Sequence, residues 1–307
     1  MSDGSWLEAN EDRLVWIFGS SRSGSTWLLK MLAEFPGVVP VDDPHLGHHL
    51  GVWRPLPLAW ATSETPPELT TLLDVKADEP GYLFAEHRRE SWWTPLRRLI
   101  QARFEAEATG VLAPPAGERT VVVKEPGSHA APLIAELFPR SKIIFLLRDG
   151  RDVVDSWLSA YREGTWAIPG GAFPVSDEGR PALIRWLSAV WAFRSRAVRQ
   201  AFETRAEEDR ILVRYEALRC QTPEHLEAIA SMAGLDPGTV REVAAAHSFE
   251  GLATARRGPG KAVRSARPGS WRDNLTAAEQ EVMHEALEEA LIEFGYDPSP
   301  VETAAAA

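Results

Sequence analysis

The sequence predicts an α/β fold, with a central parallel sheet flanked by helices on both faces, and three observations predict it. The runs Leu14–Phe18, Thr120–Val123 and Lys142–Leu147 are short and almost wholly apolar, as strands buried on both faces must be. Each is followed by a stretch of helical periodicity, the alternation that places crossover helices over a parallel sheet. A Gly/Ser-rich segment joins the first run to its helix, and such turns mark strand-to-helix junctions that hold anions.

The elements follow in order from the same signals. A fourth strand is expected at Arg210–Val213. Helices are expected at Ser25–Glu34, His129–Leu137, Arg151–Tyr161, Pro181–Arg205, Pro223–Ala233, Pro237–Ala246 and Ala277–Glu293. In the helix expected at Pro181–Arg205, Leu183, Trp186, Leu187, Val190, Trp191 and Val198 form one apolar stripe, the mark of a helix packed on a core. Thr276 followed by Glu279 is a capping-box start for the last helix. Gly164 to Pro181, with Pro169-Gly170-Gly171, reads as a loop. We expect one domain over residues 1–307, with its core at about 14–296, an acceptor-side insertion at 45–119 and a basic flap at 256–272.

The loop after the first strand carries the most chemistry. From Gly19 to Thr26 it spells G-x-x-x-x-G-S-T, one residue away from the triphosphate loop G-x-x-x-x-G-K-[ST]. Ser25 stands where the lysine belongs, and the strong cation of the loop is Arg22. Gly19 and Gly24 permit close backbone approach, the first helical turn presents N–H groups, and Arg22 adds a planar charged fork. A plain strand-turn-helix connection uses the same Gly and Ser. A second strand end repeats the theme: Arg148 closes Lys142–Leu147, and Ser156 follows two turns along the next helix. Ligands in open α/β sheets bind outside the carboxyl ends of strands, which is where Arg148 falls. The local alternative is that Arg148-Asp149 caps the helix and Ser156 is an ordinary surface hydroxyl.

Taken in order, these residues resemble the sulfotransferases that use 3′-phosphoadenosine 5′-phosphosulfate (PAPS). The family's 5′-phosphosulfate loop is similar to Arg22-Ser23-Gly24-Ser25-Thr26-Trp27, and its R-x7-S 3′-phosphate motif to Arg148 through Ser156. Arg214-Tyr215-Glu216 looks like the family's Y-E segment, and His247-Ser248-Phe249 like its adenine-side S-F segment. Arg264 to Asn274 resembles the late R-K-G-x-x-G-D-W-K-N loop, but with Ser265 and Ala266 in place of K-G and Ser270 in place of D. The resemblance runs over roughly residues 14–275. It implies a three-layer sandwich like that of P-loop NTPases. It also implies PAPS as donor, 3′,5′-bisphosphoadenosine (PAP) as product and no metal. Cofactor contacts would come from Arg22, Ser23, Gly24, Ser25, Thr26, Trp27, Arg148, Ser156, Tyr215, Ser248, Phe249, Arg264, Arg267 and Gly269.

The implied reaction moves a sulfuryl group to a hydroxyl, or less readily an amine, of a small-molecule acceptor by in-line displacement. Negative charge grows on the departing nucleotide's bridging oxygen, so catalysis is mainly positioning and electrostatics. Arg22 is the candidate that neutralises that oxygen, by charge alone, because arginine keeps its proton at neutral pH. The acceptor also needs a base. Many relatives place a histidine two residues after a lysine at the end of the middle strand, but here Lys124-Glu125 is followed by Pro126. Other relatives use a carboxylate soon after the first helix, which makes Asp43 the first choice, with Glu125, His45 and Asp42 behind it. Lys124 is a candidate for holding the transferring group. Asp42-Asp43-Pro44 also suits a simple capping turn. A metal reading of His45, His48 and His49 is set aside because no cysteine accompanies them and the family's reaction needs none.

Bulk properties point the same way. A net charge of −11 speaks against a broadly basic nucleic-acid surface, yet Arg256 to Arg272 carries six basic residues and no acid, which suits a flap over an anion. One cysteine, Cys220, gives no internal disulfide, the start of the chain is polar and acidic, and no apolar run approaches 18 residues. A cytoplasmic enzyme is expected, with no membrane span and no nucleic-acid partner. Twelve tryptophans are many for this length; Trp53, Trp60, Trp92, Trp93 and Trp166 are candidates to line a pocket for an aromatic or lipidic acceptor. Two other classes stay open: a P-loop kinase or NTPase, which would need the missing lysine and an aspartate for magnesium, and a non-catalytic nucleotide-binding protein.

Overall fold

The structure is a computed structural model, described here over residues 6–50, 52–53, 69–108, 119–165, 167–170, 174–248 and 267–299. The expectations for Trp60, Trp166, Phe249, Arg264 and most of the flap at 256–272 fall outside these residues. The strands are β1 (Leu14–Phe18), β2 (Val38–Asp42), β3 (Val52–Trp53), β4 (Thr70–Thr71), β5 (Thr120–Lys124), β6 (Lys142–Leu147) and β7 (Arg210–Arg214). The helices are α1 (Trp6–Ala9), α2 (Ser25–Leu32), α3 (Leu46–Leu50), α4 (Leu72–Lys76), α5 (Arg89–Ala108), α6 (Ala131–Leu137) and α7 (Gly150–Ala160). They continue as α8 (Arg180–Glu203), α9 (Tyr215–Cys220), α10 (Thr222–Ala233), α11 (Val240–Ala246), α12 (Trp271–Asn274) and α13 (Ala277–Glu293).

Contacts divide the chain into two compact units. The first holds residues 1–53, 70–147 and 194–248; the second holds 54–69, 148–193 and 249–307. In the first unit a five-stranded sheet runs in the order β2-β5-β1-β6-β7, every neighbouring pair parallel. β1 is fully buried at its centre, and its side chains alternate between two cores. Val15 and Ile17 face Leu28, Met31 and Leu32 of α2 together with Leu226 and Ile229 of α10. Trp16 and Phe18 stack at 5.5 Å on the other face, where Phe104 of α5 and Phe138 lie 5.6 and 5.8 Å from Trp16. Helices thus cover both faces, the expected three-layer sandwich. Each large side chain so buried contributes about 1.5–3 kcal/mol.

The four expected strands are present with bounds that differ by at most one residue, and the sheet has a fifth, β2, which the apolar pattern did not reveal. Pro40 interrupts it, and β2 tolerates Pro40 because it is an edge strand, paired on one side only to β5. α5 was also unforeseen: its apolar positions are diluted by arginines and glutamates, and Pro95 sits inside it.

In the second unit, α7, the first part of α8 and α13 share a core. Gly150 is required where α7 starts, since a Cβ there would stand 2.8 Å from the Trp191 ring. The Trp191 indole in turn donates to the Arg148 carbonyl at 3.1 Å and meets Phe294 edge-on at 5.6 Å. α13 opens with the expected capping box. Thr276 accepts from the Glu279 N–H, and the Glu279 carboxylate accepts from the Thr276 N–H and from Arg180 Nε at 2.6 Å.

Candidate active site

The loop after β1 is built to let backbone approach closely. At Gly19 a Cβ would lie 2.3 Å from the Leu146 carbonyl oxygen, so β6 leaves no room for a side chain. Ser128 pins the same residue by donating to the Gly19 carbonyl. Ser23 turns the loop back on itself, its N–H and hydroxyl both donating to the Ser20 carbonyl at 3.1 and 2.7 Å. Arg22 takes a left-handed φ of 76°, and Gly24, the N-cap of α2, a φ of 91°. A Cβ at Gly24 would stand 2.7 Å from the Tyr215 ring. Among the described residues no side chain caps α2; the Trp27 N–H donates to the Gly24 carbonyl at 3.0 Å, and the N–H groups of Ser25 and Thr26 are the ones left to face the loop.

Beside the loop, β5 supplies the lysine that the loop lacks. β5 pairs with β1 in the register Ile17 to Lys124, which carries the Lys124 side chain to the start of α2. Its ammonium lies 2.7 Å from Thr26 Oγ1, 2.8 Å from Asp42 Oδ1 and 3.0 Å from Asp43 Oδ2. Those three partners match the three protons an ammonium can donate. The residue is 5 % exposed, so this charge is held in place and not waving in water. Asp43 is half-buried with φ 53°, and its Oδ1 takes no hydrogen bond among the described residues. Backbone held in that region costs about 1–3 kcal/mol for a non-glycine residue and tends to collect at functional sites.

The other expected acid-base candidates stand in different surroundings. Glu125 is buried, and its carboxylate accepts from the N–H groups of Gly127 at 2.6 Å, Leu46 at 2.9 Å and Gly47 at 3.4 Å. Burial pushes its carboxyl above the ordinary glutamate range, against the lowering effect of those N–H groups. It works as a clamp between β5 and α3. His45 is exposed, with φ 57°, its ring 5.5 Å from that of His48. No group of three or more metal-ligating side chains occurs among the described residues.

Residues of the early loop, of the Y-E segment and of the segment leading to Ser248 also come together. The Trp27 indole donates to the His247 carbonyl at 3.0 Å, one residue before Ser248, and its ring meets Tyr215 edge-on at 6.2 Å. In the second unit, Arg148 stands 3.8 Å from Asp152, and Asp149 caps α7 by accepting from the Arg151 N–H at 2.9 Å. Ser156 is half-buried on α7. Arg267 pairs with Asp273, and Gly269 has φ 76°.

One participant went unread in the sequence. Arg194 of α8 is 5 % exposed and donates to Ser21 Oγ of the loop at 3.0 Å. Its signal was available: it interrupts the apolar stripe between Trp191 and Val198, three and four residues from each, where a charge has no reason to be unless something meets it.

The profile described as "Sulfotransferase family" matches residues 15–238 of this chain. The chain belongs to the sulfotransferase family. Among solved structures it is similar to a mouse sulfotransferase complexed with PAP, at 14% identity and a TM-score of 0.53, over 95% of this chain and 91% of that one. It is also similar to a sulfotransferase from Mycobacterium avium, at 16% identity and a TM-score of 0.51, over 95% of this chain and 79% of that one. At such identities the likeness is one of fold. Among curated proteins no match is found. No helix of the described residues is long and apolar enough to cross a membrane.

Proposed function

We propose that this sulfotransferase takes its sulfuryl group from PAPS and delivers it to a hydroxyl of a small-molecule acceptor in the cytoplasm. The observation that carries the reading is the pairing of a lysine-free glycine loop with Lys124, which β5 holds against Thr26 and Asp43. A P-loop NTPase would have its lysine inside the loop and a magnesium-binding carboxylate at a strand end. Here β5 ends in a lysine, and Arg148 follows β6, which suits an anion bound without a cation between.

The residues present fit the donor. A Cβ-free cradle at Gly19 and Gly24, the uncapped start of α2 and Arg22 suit the 5′-phosphosulfate. Trp27, Tyr215 and Ser248 suit the adenine, and Arg148 with Ser156 the 3′-phosphate. PAPS supplies an activated sulfur whose bond to the bridging phosphate oxygen is the one that breaks. Asp43 takes the acceptor's proton as the new sulfur–oxygen bond forms, while Lys124 orients its carboxylate through Oδ2. Of the carboxylates considered, Glu125 has its lone pairs committed to three backbone N–H groups, which favours Asp43. Arg22 offsets the charge left on the nucleotide.

The test has two arms. Calorimetry should give binding of PAP without magnesium and no magnesium-dependent preference for ATP; the reverse preference overturns the reading. Labelled PAPS offered with phenols, alcohols and glycosides should yield labelled product with at least one of them, and binding without any transfer would make this a nucleotide-binding protein only.

A further inference from the structure

Asp152 is a carboxylate of the second unit with several partners. Its side chain is completely buried in the first turn of α7. Oδ2 accepts from the Gly269 N–H at 2.8 Å and stands 3.8 Å from Arg148 Nη2. Oδ1 accepts from the Trp271 N–H at 3.4 Å and from Ser270 Oγ at 3.5 Å. One turn further along, Asp155 accepts from Asn274 Nδ2 at 3.0 Å and from Ser270 Oγ at 3.4 Å. Ser270 stands where the family's late segment has an aspartate, so here the carboxylates that shape this turn come from α7 instead.

We propose that Asp152 is a positioning residue for the nucleotide's 3′-phosphate, holding the Arg148 guanidinium and the turn Gly269–Trp271 with one carboxylate. The inference rests on the assignment of Arg148 to the 3′-phosphate made above. A guanidinium that must meet a phosphate is useful only if its direction is set beforehand, and Asp152 sets it by opposing charge. The same oxygen that faces Arg148 receives the Gly269 N–H, so the arginine and the turn cannot shift independently. Burial pushes the Asp152 carboxyl upward while Arg148 opposes the shift, consistent with a carboxylate kept in the protein for its partners and not for solubility. Gly269 supports the arrangement, because its φ of 76° turns the chain so that its own N–H and that of Trp271 reach one side chain.

The test compares PAP with adenosine 5′-monophosphate, which lacks the 3′-phosphate, by calorimetry on the full chain. Wild type should prefer PAP, and Asp152→Asn should lose about tenfold of that preference, as expected for a charged hydrogen-bond partner removed, while binding of the monophosphate stays within about twofold. Asn274→Ala loosens the same turn without touching Arg148 or Asp152 and should keep the preference. If Asp152→Asn keeps it, or Asn274→Ala loses it equally, the positioning role is overturned. A wild type with no preference for PAP would instead remove the cofactor reading itself. If Asp152→Asn does not fold, amide exchange on wild type decides: the Gly269 and Trp271 amides should be slowed by PAP and not by the monophosphate, and equal slowing overturns the proposal.

Discussion

Lys124 Nζ stands 3.0 Å from Asp43 Oδ2 and 2.7 Å from Thr26 Oγ1, so one ammonium joins the ends of two neighbouring strands to the first turn of the anion loop's helix. Replacing Lys124 by methionine keeps most of the stem and removes the charge, leaving Asp42 and Asp43 to repel an anionic donor. Turnover should fall about 10²–10³-fold, the range for losing one preorganised charged donor. Steady-state kinetics with saturating PAPS reads this directly.

Asp43→Asn keeps the shape of the side chain and cannot take a proton. The expected loss is about 10²–10⁴-fold in kcat, with PAP affinity little changed. Unchanged kcat would transfer the role to Glu125 or His45, and the corresponding glutamine and alanine variants then decide between them.

Arg22→Ala and Arg148→Ala should separate turnover from affinity. The first should abolish transfer while weakening PAP binding only moderately; the second should chiefly raise the PAP dissociation constant. Near-normal turnover in Arg22→Ala would show that the leaving oxygen is neutralised elsewhere.

Gly24→Ala tests the cradle. The added methyl would lie 2.7 Å from the Tyr215 ring, in a backbone with φ 91°. Strain of about 1–3 kcal/mol should appear as a lower melting temperature, together with weaker PAP binding. Tyr215→Ala in the same chain relieves the contact but not the backbone strain, so recovery of stability should be partial.

Glu279 gives a pH signature. Burial alone would raise its carboxyl, but the Thr276 N–H and Arg180 outweigh burial and hold it below the ordinary glutamate range. A depressed carboxyl stabilises the fold above its unfolded value and loses that contribution as pH falls through the folded one. Glu279→Gln should therefore cost about 1 kcal/mol at pH 7. Thermal melts of the two proteins should converge as the medium is taken to about pH 3, below the ordinary range.

What the sequence disclosed was local in origin. β1, β6 and the anion loop are contiguous words whose meaning needs no partner, and the capping box of Thr276 and Glu279 is closed within one turn. What it withheld depends on strand order. That Lys124 would meet Thr26 follows only once β5 is known to lie beside β1, and Asp42 and Asp43 join them only because β2 lies beside β5. Arg194 hid inside an apolar stripe, and Glu125 carried a residue type equally suited to a base and to a clamp. Its three N–H partners come together only in space and leave no trace in spacing.

The clamp at Glu125 has a bearing on how this enzyme changes over time. Gly47 and Gly127 press so closely that a methyl on Gly47 would fall 1.9 Å from the Gly127 carbonyl oxygen, and a methyl on Gly127 would fall 2.7 Å from the clamp itself. Drift at either glycine disturbs the turn that seats Glu125, the residue next to Lys124. Diversification toward new acceptors is thereby channelled into other stretches of the chain, while this corner stays a fixed pivot.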